Sequence, residues 1–159
     1  MADLCVQYSY SSVRINNTTA NTNSLITDFE GGEILGLDGA PIRRQIDPQG
    51  QSDGGIFFNA FYGPRIITFT GLVAIVTVVD PGGNPTAVWS AINTLEAATI
   101  SALEAQRNSA SNLTWTPTGG SGKTLSCYYG VPGGEIQFTG NLRERKFTFQ
   151  LVAYNPTIT

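Results

Sequence analysis

Histidine does not occur in this sequence of 159 residues, and its absence bears directly on catalysis. Imidazole is the usual general base near neutral pH and the usual base of serine and cysteine triads. Nucleophilic hydrolysis in its common form is therefore excluded. We predict a protein that is not an enzyme and that has no catalytic residue and no bound cofactor.

Cysteine is scarce: the two thiols, Cys5 and Cys127, lie far apart and form no CxxC pair. A structural zinc site takes four ligands, mostly cysteine and histidine, and the chain has too few of them. Asp47 and Asp53 do not have the spacing of a calcium loop either. We expect no metal site and two buried free thiols, with a disulfide between them as the alternative.

Charged residues make up only 13% of the sequence, against about 25% in ordinary soluble domains. The centres of protein interfaces are depleted in charge, so this composition favours a subunit of an assembly. A secreted polar β-domain is the alternative. The net charge of −3 argues against a protein that holds nucleic acid, because phosphate binding needs clustered lysine and arginine.

Long apolar runs are also missing, since no stretch approaches the roughly 18 to 20 residues of a membrane-spanning helix. The N-terminal residues MADLCVQYSYSS lack the basic segment and apolar run of a secretory signal. We therefore expect no membrane partner and assembly in the cytoplasm. The length of the chain fits a single domain, 1–159, with a core of its own.

Most of the sequence has the alternation of β-strands. Apolar residues recur at every second position near the C-terminus, as in Phe147, Phe149 and Leu151, which indicates half-buried antiparallel strands. Residues 57–62 and 66–79 are predicted to pair as strands around Gly63-Pro64. The longer of the two has apolar residues on both faces, which favours burial on both sides.

One predicted helix interrupts this pattern. Asn84 can cap it, Pro85 suits its first position, and it is predicted to run to about Arg107. Its apolar arc comprises Val88, Trp89, Ile92, Leu95, Thr99, Ile100 and Leu103. The predicted architecture is mainly β with one helix, an α+β fold in which an antiparallel β-sandwich or split barrel carries a single packed α-helix.

Glu96 falls inside the apolar arc of the helix, where an unpaired carboxylate would be costly. It is predicted either to lie at the edge of the arc or to bind an arginine. The candidate partners are Arg43, Arg44 and Arg65.

Two segments resemble ligand sites but have simpler interpretations. Residues 118–124, TGGSGKT, end like a phosphate-binding loop, but Pro117 stands where the first glycine of that motif belongs. The residues that follow favour a strand instead of the required helix N-terminus, so a hairpin turn is predicted. For the aromatic residues Trp115, Tyr128 and Tyr129, packing in the core is favoured over a sugar-binding platform.

Carboxylate catalysis stays open as a distant alternative, which would need two acids about 5–10 Å apart in a cleft. Solvated loop acids are the simpler interpretation. The candidate acids are Glu30, Glu33, Glu135 and Glu144. The basic cluster near the last strand is predicted to be solvated or to pair subunits, and it comprises Arg143, Arg145 and Lys146.

The order of turns and strands in residues 36–71, GLDGAPIRRQIDPQGQSDGGIFFNAFYGPRIITFTG, is the most specific pattern in the chain. A GAPIR turn precedes a DGG turn, an aromatic strand and GPRIITFTG, and the chain later has RKFTFQLVAYNP at 145–156. This order resembles the N-terminal hub domain of the distal tail proteins of long-tailed bacteriophages. The residues that match the family pattern are Gly39, Ala40, Pro41, Arg43, Gly54, Gly55, Gly63, Arg65, Gly71, Arg145 and Pro156.

The resemblance implies a structural virion protein at the distal end of a long phage tail, assembled in the host cytoplasm. Such a protein forms a hexameric ring, a homo-oligomer that joins the tail tube protein to tail-tip or baseplate hub proteins. DNA passes through the ring without specific binding, and six copies at −3 each carry about −18, which would not trap DNA. A tail tube protein of related fold is the close alternative, and a carbohydrate-binding β-sandwich module is a more distant one.

Overall fold

The structure of the protein, a computed structural model, describes residues 6–38, 42–43, 46–48, 55–57, 61–78, 83–130 and 134–159. For the short strands between residues 42 and 62 it describes the backbone alone. The described part contains one helix, α1 (Pro85–Glu104). Its strands are β1 (Tyr8–Tyr10), β2 (Val13–Ile15), β3 (Ser24–Ile26), β4 (Glu33–Leu35), β5 (Ile42–Arg43), β6 (Ile46–Pro48), β7 (Gly55–Phe57), β8 (Phe61–Tyr62), β9 (Arg65–Ala74), β10 (Ser111–Trp115), β11 (Lys123–Tyr129), β12 (Gln137–Gly140) and β13 (Arg145–Ala153).

Seven of these strands close into a barrel. They follow the order β13-β11-β10-β1-β2-β3-β9, and β9 pairs back onto β13 to complete the circle. The neighbours are antiparallel except for β2 and β3, which are parallel. Strands β12 and β4 extend the sheet beyond the barrel, alongside β13 and β9. The predicted mainly β fold with one helix is confirmed, and its architecture is the barrel.

The longest strand pair of the barrel, β9 with β13, anchors the core. The pairing runs from Arg65 opposite Ala153 to Leu72 opposite Lys146, so odd-numbered residues of both strands share the inner face. Phe69 and Phe149 are buried there, and their rings stack with centroids 5.2 Å apart. Burial of a side chain of this size is worth roughly 1.5–3 kcal/mol.

Strand β9 differs from the strand predicted over 66–79. It begins at Arg65 and ends at Ala74, and the segment predicted as its partner pairs elsewhere, β7 with β6 and β8 with β5. Strands β5 and β6 take these two strands as antiparallel partners, while β13 pairs along the side of β9. The expected burial of both faces is not met within one chain, because Ile66 lies 42% exposed on the outside of the barrel, and cover by a neighbouring subunit stays a prediction.

Between β4 and β9 in the chain, β5 pairs with β8 and β6 with β7, and we call these two nested antiparallel pairs the hairpin β5–β8. Ile42 lies opposite Tyr62, and further along Asp47 lies opposite Ile56. In the described backbone these four strands pair only with one another. The hairpin therefore leaves the sheet after β4 ends and returns where β9 begins.

Helix α1 lies across one end of the barrel. Just after the helix, the backbone oxygen of Gln106 accepts a hydrogen bond from Tyr129 N–H at the end of β11. The side chain of Gln106 donates a hydrogen bond to Ser11 in the β1–β2 turn. Midway along the helix, Glu96 contacts Arg145 at the start of β13. The helical residues that this packing buries are Ile92, Thr99 and Leu103.

The ends of the helix agree with the sequence better than its apolar arc does. Asn84 caps the helix by accepting from Ala87 N–H at 3.2 Å, as predicted, and the last helical residue is Glu104. Trp89 and Ile100, predicted to lie in the buried arc, are 37% and 41% exposed. A barrel end contacts only a narrow stripe of a helix, so residues at the edges of a broad arc stay in solvent.

Candidate functional site

Arg145, at the start of β13, joins helix α1 to the barrel. Its Nε donates to Glu96 Oε1 at 2.6 Å and its Nη2 to Glu96 Oε2 at 3.2 Å, so one edge of the guanidinium holds both carboxylate oxygens. The charge also lies over the ring of Trp89, 5.8 Å from the centroid. The side chains of Arg145 and Glu96 are only 19% and 13% exposed. Bidentate pairs are strong, and the hydrogen bonds to Glu96 raise the pKa of Arg145.

The partner of Glu96 is a correction to the sequence analysis. Glu96 binds an arginine, as predicted, but that arginine is Arg145 and not one of the three candidates. The helix crosses the barrel where β13 starts, which the sequence did not indicate. A signal was nevertheless present, because Arg145 has the same phase as the inward-facing Phe147 and Phe149.

The contact between Arg145 and Glu96 separates Arg145 from the rest of the predicted basic cluster. Arg145 turns inward to the helix, whereas Lys146 turns outward and pairs with Glu144 at 2.9 Å. Arg143 is exposed in the turn before β13. Alternation along the strand therefore separates neighbouring charges, and they do not form a common basic surface.

Arg65, at the start of β9, is a buried arginine. It is 6% exposed and belongs to the inner face of the barrel, opposite Ala153. Its Nη1 donates to the backbone oxygen of Leu37 at 2.8 Å. Its Nε is buried without a hydrogen-bond acceptor. The ion pairs found among the described residues do not include Arg65.

The thiol of Cys127 lies near Arg65 in the interior. It is free and fully buried, and burial raises its pKa to about 12 although the positive charge of Arg65 opposes the rise. Tyr10 donates to the backbone oxygen of Cys127 at 3.0 Å, and burial raises the pKa of Tyr10 as well. The free thiol predicted for Cys127 is confirmed, and it stays protonated and inert. Cys5 lies outside the described residues.

Gly71 fixes the distance between strands in the middle of β9. It lies opposite Phe147 on β13. A Cβ atom at this position would lie 2.5 Å from Phe147 Cε1 and would overlap the backbone oxygen of Ile26 on β3. A larger residue would therefore require the backbone to move.

The other residues of the family pattern are spread along the sheet and do not meet in one cluster. Gly63 is buried just before β9, and Pro156 follows β13. Arg43 and Gly55 lie in the hairpin, where the backbone alone is described. The pattern residues outside the described part are Gly39, Ala40, Pro41 and Gly54.

A small uncharged patch lies on the outer face of β4, β9 and β13, and the exposed Glu33 and Lys146 lie further along the same face. Leu35 is 50% exposed on β4 and lies opposite Thr68, two positions from the exposed Ile66 and on the same face. Thr68 accepts a hydrogen bond from Gln150 of β13 at 3.1 Å. We call Leu35, Ile66, Thr68 and Gln150 the neutral face.

The geometry answers several of the alternatives raised by the sequence. Lys123 begins β11 and lies opposite Trp115 of β10, so the predicted hairpin turn is confirmed, with residues 116–122 as the connection and Lys123 and Thr124 already in the strand. Trp115 and Tyr129 are buried in the core, as predicted. Tyr128 is half-buried and its ring contacts the exposed Tyr154.

Acidic side chains behave as surface residues where the structure describes them. Glu135 pairs with Arg107 at 3.0 Å and is 73% exposed, as expected of a solvated acid. In the described ranges, no three histidine, cysteine, aspartate or glutamate residues group closely enough to hold a metal ion. Nor does this part of the chain contain a helix with the length and apolar character to span a membrane.

The fold has a counterpart among solved structures. The crystal structure of SPP1 Dit (gp 19.1), a paradigm of the hub adsorption apparatus in phages that infect Gram-positive bacteria, aligns with 96% of this chain at a TM-score of 0.60. The chain has the fold of a phage hub protein. The sequences are 14% identical, and the chain spans about half the length of Dit, 51%. No protein-family model and no curated protein matches the sequence.

The hub fold confirms the resemblance that the order of turns and strands indicated. At 14% identity few positions are shared, so the likeness rests on the order and spacing of elements.

Proposed function

We propose that this protein is a structural subunit of a bacteriophage tail, located in the virion at the distal end of the tail. The observation that carries the proposal is the likeness to a hub protein over 96% of the chain. The low charge content supports it, because a surface with 13% charged residues suits a subunit covered by neighbours. In this proposal the chain is one domain, acts by assembly and catalyses no reaction.

Copies of the chain form a closed hexameric ring that joins the tail tube to the tail-tip or baseplate proteins and leaves an axial channel for DNA. The hairpin β5–β8 supports association, since its described strands pair only with one another. An isolated two-stranded hairpin is marginally stable in water. A neighbouring copy can stabilise it by covering its sides.

The neutral face is the second feature that favours contact between copies. Leu35 and Ile66 expose 50% and 42% of their surface on adjoining strands. The surrounding Thr68 and Gln150 carry no charge, so a neighbour could cover them without desolvating an ion.

Sedimentation velocity of the purified chain, followed by negative-stain imaging, tests the proposal. A species of about six times the 17.0 kDa protomer, seen as closed rings with an axial opening, is the expected result. Long tubes would favour the tail tube alternative. A protomer mass at every practical concentration would contradict assembly by this chain alone.

A matched pair of charge insertions tests the neutral face separately. Leu35→Glu should shift the mass from ring to protomer, because it places a charge where a neighbour would exclude water. Ser126→Glu on β11, also exposed, serves as the control and should leave the ring intact. If both variants form rings, the ring contact lies elsewhere on the subunit.

The carbohydrate-binding alternative loses two of its three candidate aromatics, since Trp115 and Tyr129 are 8% and 1% exposed. A sugar platform requires open aromatic faces. We expect no glycan binding that depends on these two side chains. Trp115→Phe should therefore leave any measured glycan affinity unchanged.

A further inference from the structure

Arg65 is buried and Arg145 is half-buried, and only Arg145 holds a carboxylate. Nε and Nη2 of Arg145 donate to the two oxygens of Glu96. In Arg65, Nη1 donates to Leu37 O, and the buried Nε has no acceptor. We propose that the Nε edge of Arg65 is a binding site for a carboxylate group.

Burial makes the positive charge of Arg65 costly unless an anion binds it. Guanidinium stays protonated at any ordinary pH and offers five N–H donors, of which Leu37 O accepts one. A cation that is 6% exposed is costly unless it is paired and hydrogen-bonded. A water molecule could accept from Nε–H, but it would bring no opposite charge.

The shape of the guanidinium selects the ligand. Its Nε and the adjacent Nη form a planar fork that matches the two oxygens of a carboxylate. Arg145 uses this same edge for Glu96 in the same barrel. A phosphate can engage the same fork, so phosphate enters the experiment as the competing ligand.

The groups around Arg65 leave its charge uncompensated. Cys127 is close enough for its pKa to respond to Arg65, yet burial keeps that thiol protonated, with a pKa of about 12. Tyr10 is neutral as well, since burial raises its pKa. Neither of these two groups therefore supplies a negative charge to Arg65 at neutral pH.

Two sources could supply the carboxylate, a small molecule in solution or an aspartate or glutamate of a second copy. The chemistry at Arg65 is the same in both cases. The second source rests on the assembly proposed above, whereas the first does not. The experiment therefore needs one measurement on the separate protomer and one on the associated protein.

Nitrogen-15 NMR of the arginine Nε–H groups measures the site directly in the folded full chain. Sodium formate should shift the Arg65 Nε–H signal until it saturates, while sodium chloride at equal ionic strength should not. Arg145 is the internal control, because its Nε already donates to Glu96. Arg65→Lys and Arg145→Lys assign the two signals by removing one each.

Thermal unfolding gives a second readout. Formate should raise the unfolding temperature of the wild-type protein above its value in chloride, since a ligand of the native state stabilises it. Arg65→Lys keeps the charge but loses the fork, and it should lose this rise. Arg145→Lys should keep the rise from its own lower starting temperature.

Measuring the Arg65 signal at low and high protein concentration identifies the source of the carboxylate. A formate shift in the protomer supports the site with a small carboxylate as ligand. A signal that moves as copies associate, together with weaker association of Arg65→Lys, supports the site with a carboxylate of a second copy. Absence of both effects, equal shifts in chloride, or a shift in phosphate without one in formate would overturn the proposal. A protomer that binds formate but never associates would contradict the ring alone.

Discussion

The two ends of the β9–β13 pair hold their arginines in opposite ways. At the start of β13, Arg145 has a carboxylate and an aromatic ring as partners, both from helix α1. At the start of β9, Arg65 has one backbone oxygen. The strands are antiparallel, so these arginines lie at opposite ends of one ladder.

The paired Arg145 stabilises the fold, whereas Arg65 is free to bind a ligand. A buried ion pair completed within the chain orients the elements that carry it, here a helix against a barrel. A buried cation without an opposite charge contributes less to the stability of the fold, and it can still bind a ligand of opposite charge. The Arg145 end thus has a structural role, and the Arg65 end has the properties of a ligand-binding site.

Both arginines stand on one strand ladder, and Gly71→Ala is the strongest way to test whether that ladder is rigid. The added methyl group would overlap Ile26 O and the ring of Phe147. Overpacking against backbone should lower the free energy of unfolding by about 3 kcal/mol or more. Urea denaturation followed by tryptophan fluorescence measures the change.

A glycine in open space is the control for that substitution. A Cβ at Gly122 would lie 3.6 Å from Thr116 Oγ1, at ordinary contact distance. Gly122→Ala should change the stability by less than about 0.5 kcal/mol. Equal effects of the two substitutions would show that the strand spacing at Gly71 is not rigid.

The Arg145 end should show the next largest effect. Arg145→Met leaves the Glu96 carboxylate, 13% exposed, without its partner and removes the contact with Trp89. We expect a loss of about 2–3 kcal/mol, below the full value for a completely buried pair because solvent still reaches both groups. The double variant Glu96→Leu with Arg145→Met should recover most of the loss, and additive losses would contradict the pairing.

The sequence predicts the two ends unequally well. Strand alternation places Arg145 and Arg65 on the inner face, in phase with Phe147 and Ile67, so their burial could be predicted. The contact of Arg145 with Glu96 could not, because it depends on where the helix crosses the barrel. Periodicity states which face of a helix is apolar but not which strand end it meets.

Strand partners were harder to predict than strands. The strong β-segment after Pro64 was found, yet its partner is β13, about eighty positions along the chain by its register, and not the preceding segment. Local pattern favours the nearest antiparallel neighbour, and closure of a barrel is a property of the whole sheet. The same closure explains why Ile66 is exposed.

The thiol beside Arg65 gives a prediction in pH. Unfolded Cys127 ionises near its ordinary pKa of 9.0, whereas the folded thiol stays protonated to about 12. Between these values the unfolded chain binds fewer protons, so stability falls as pH rises, by up to about 1.4 kcal/mol per pH unit for this group. Urea titrations at pH 8 to 11 should show a shallower fall for Cys127→Ala. Parallel pH profiles would mean that the thiol is accessible in the folded state.

The smallest expected change is at Arg65 itself. Arg65→Met removes a buried charge that has no opposite charge among the described residues, which favours folding, and it also strands the oxygen of Leu37, which opposes folding. These effects offset, so in a formate-free buffer we expect a change of less than about 1 kcal/mol. Arg145→Met under the same conditions provides the contrast. A loss at Arg65 as large as that at Arg145 would mean that Arg65 is already paired in the folded protomer, and the two ends of the ladder would then be alike.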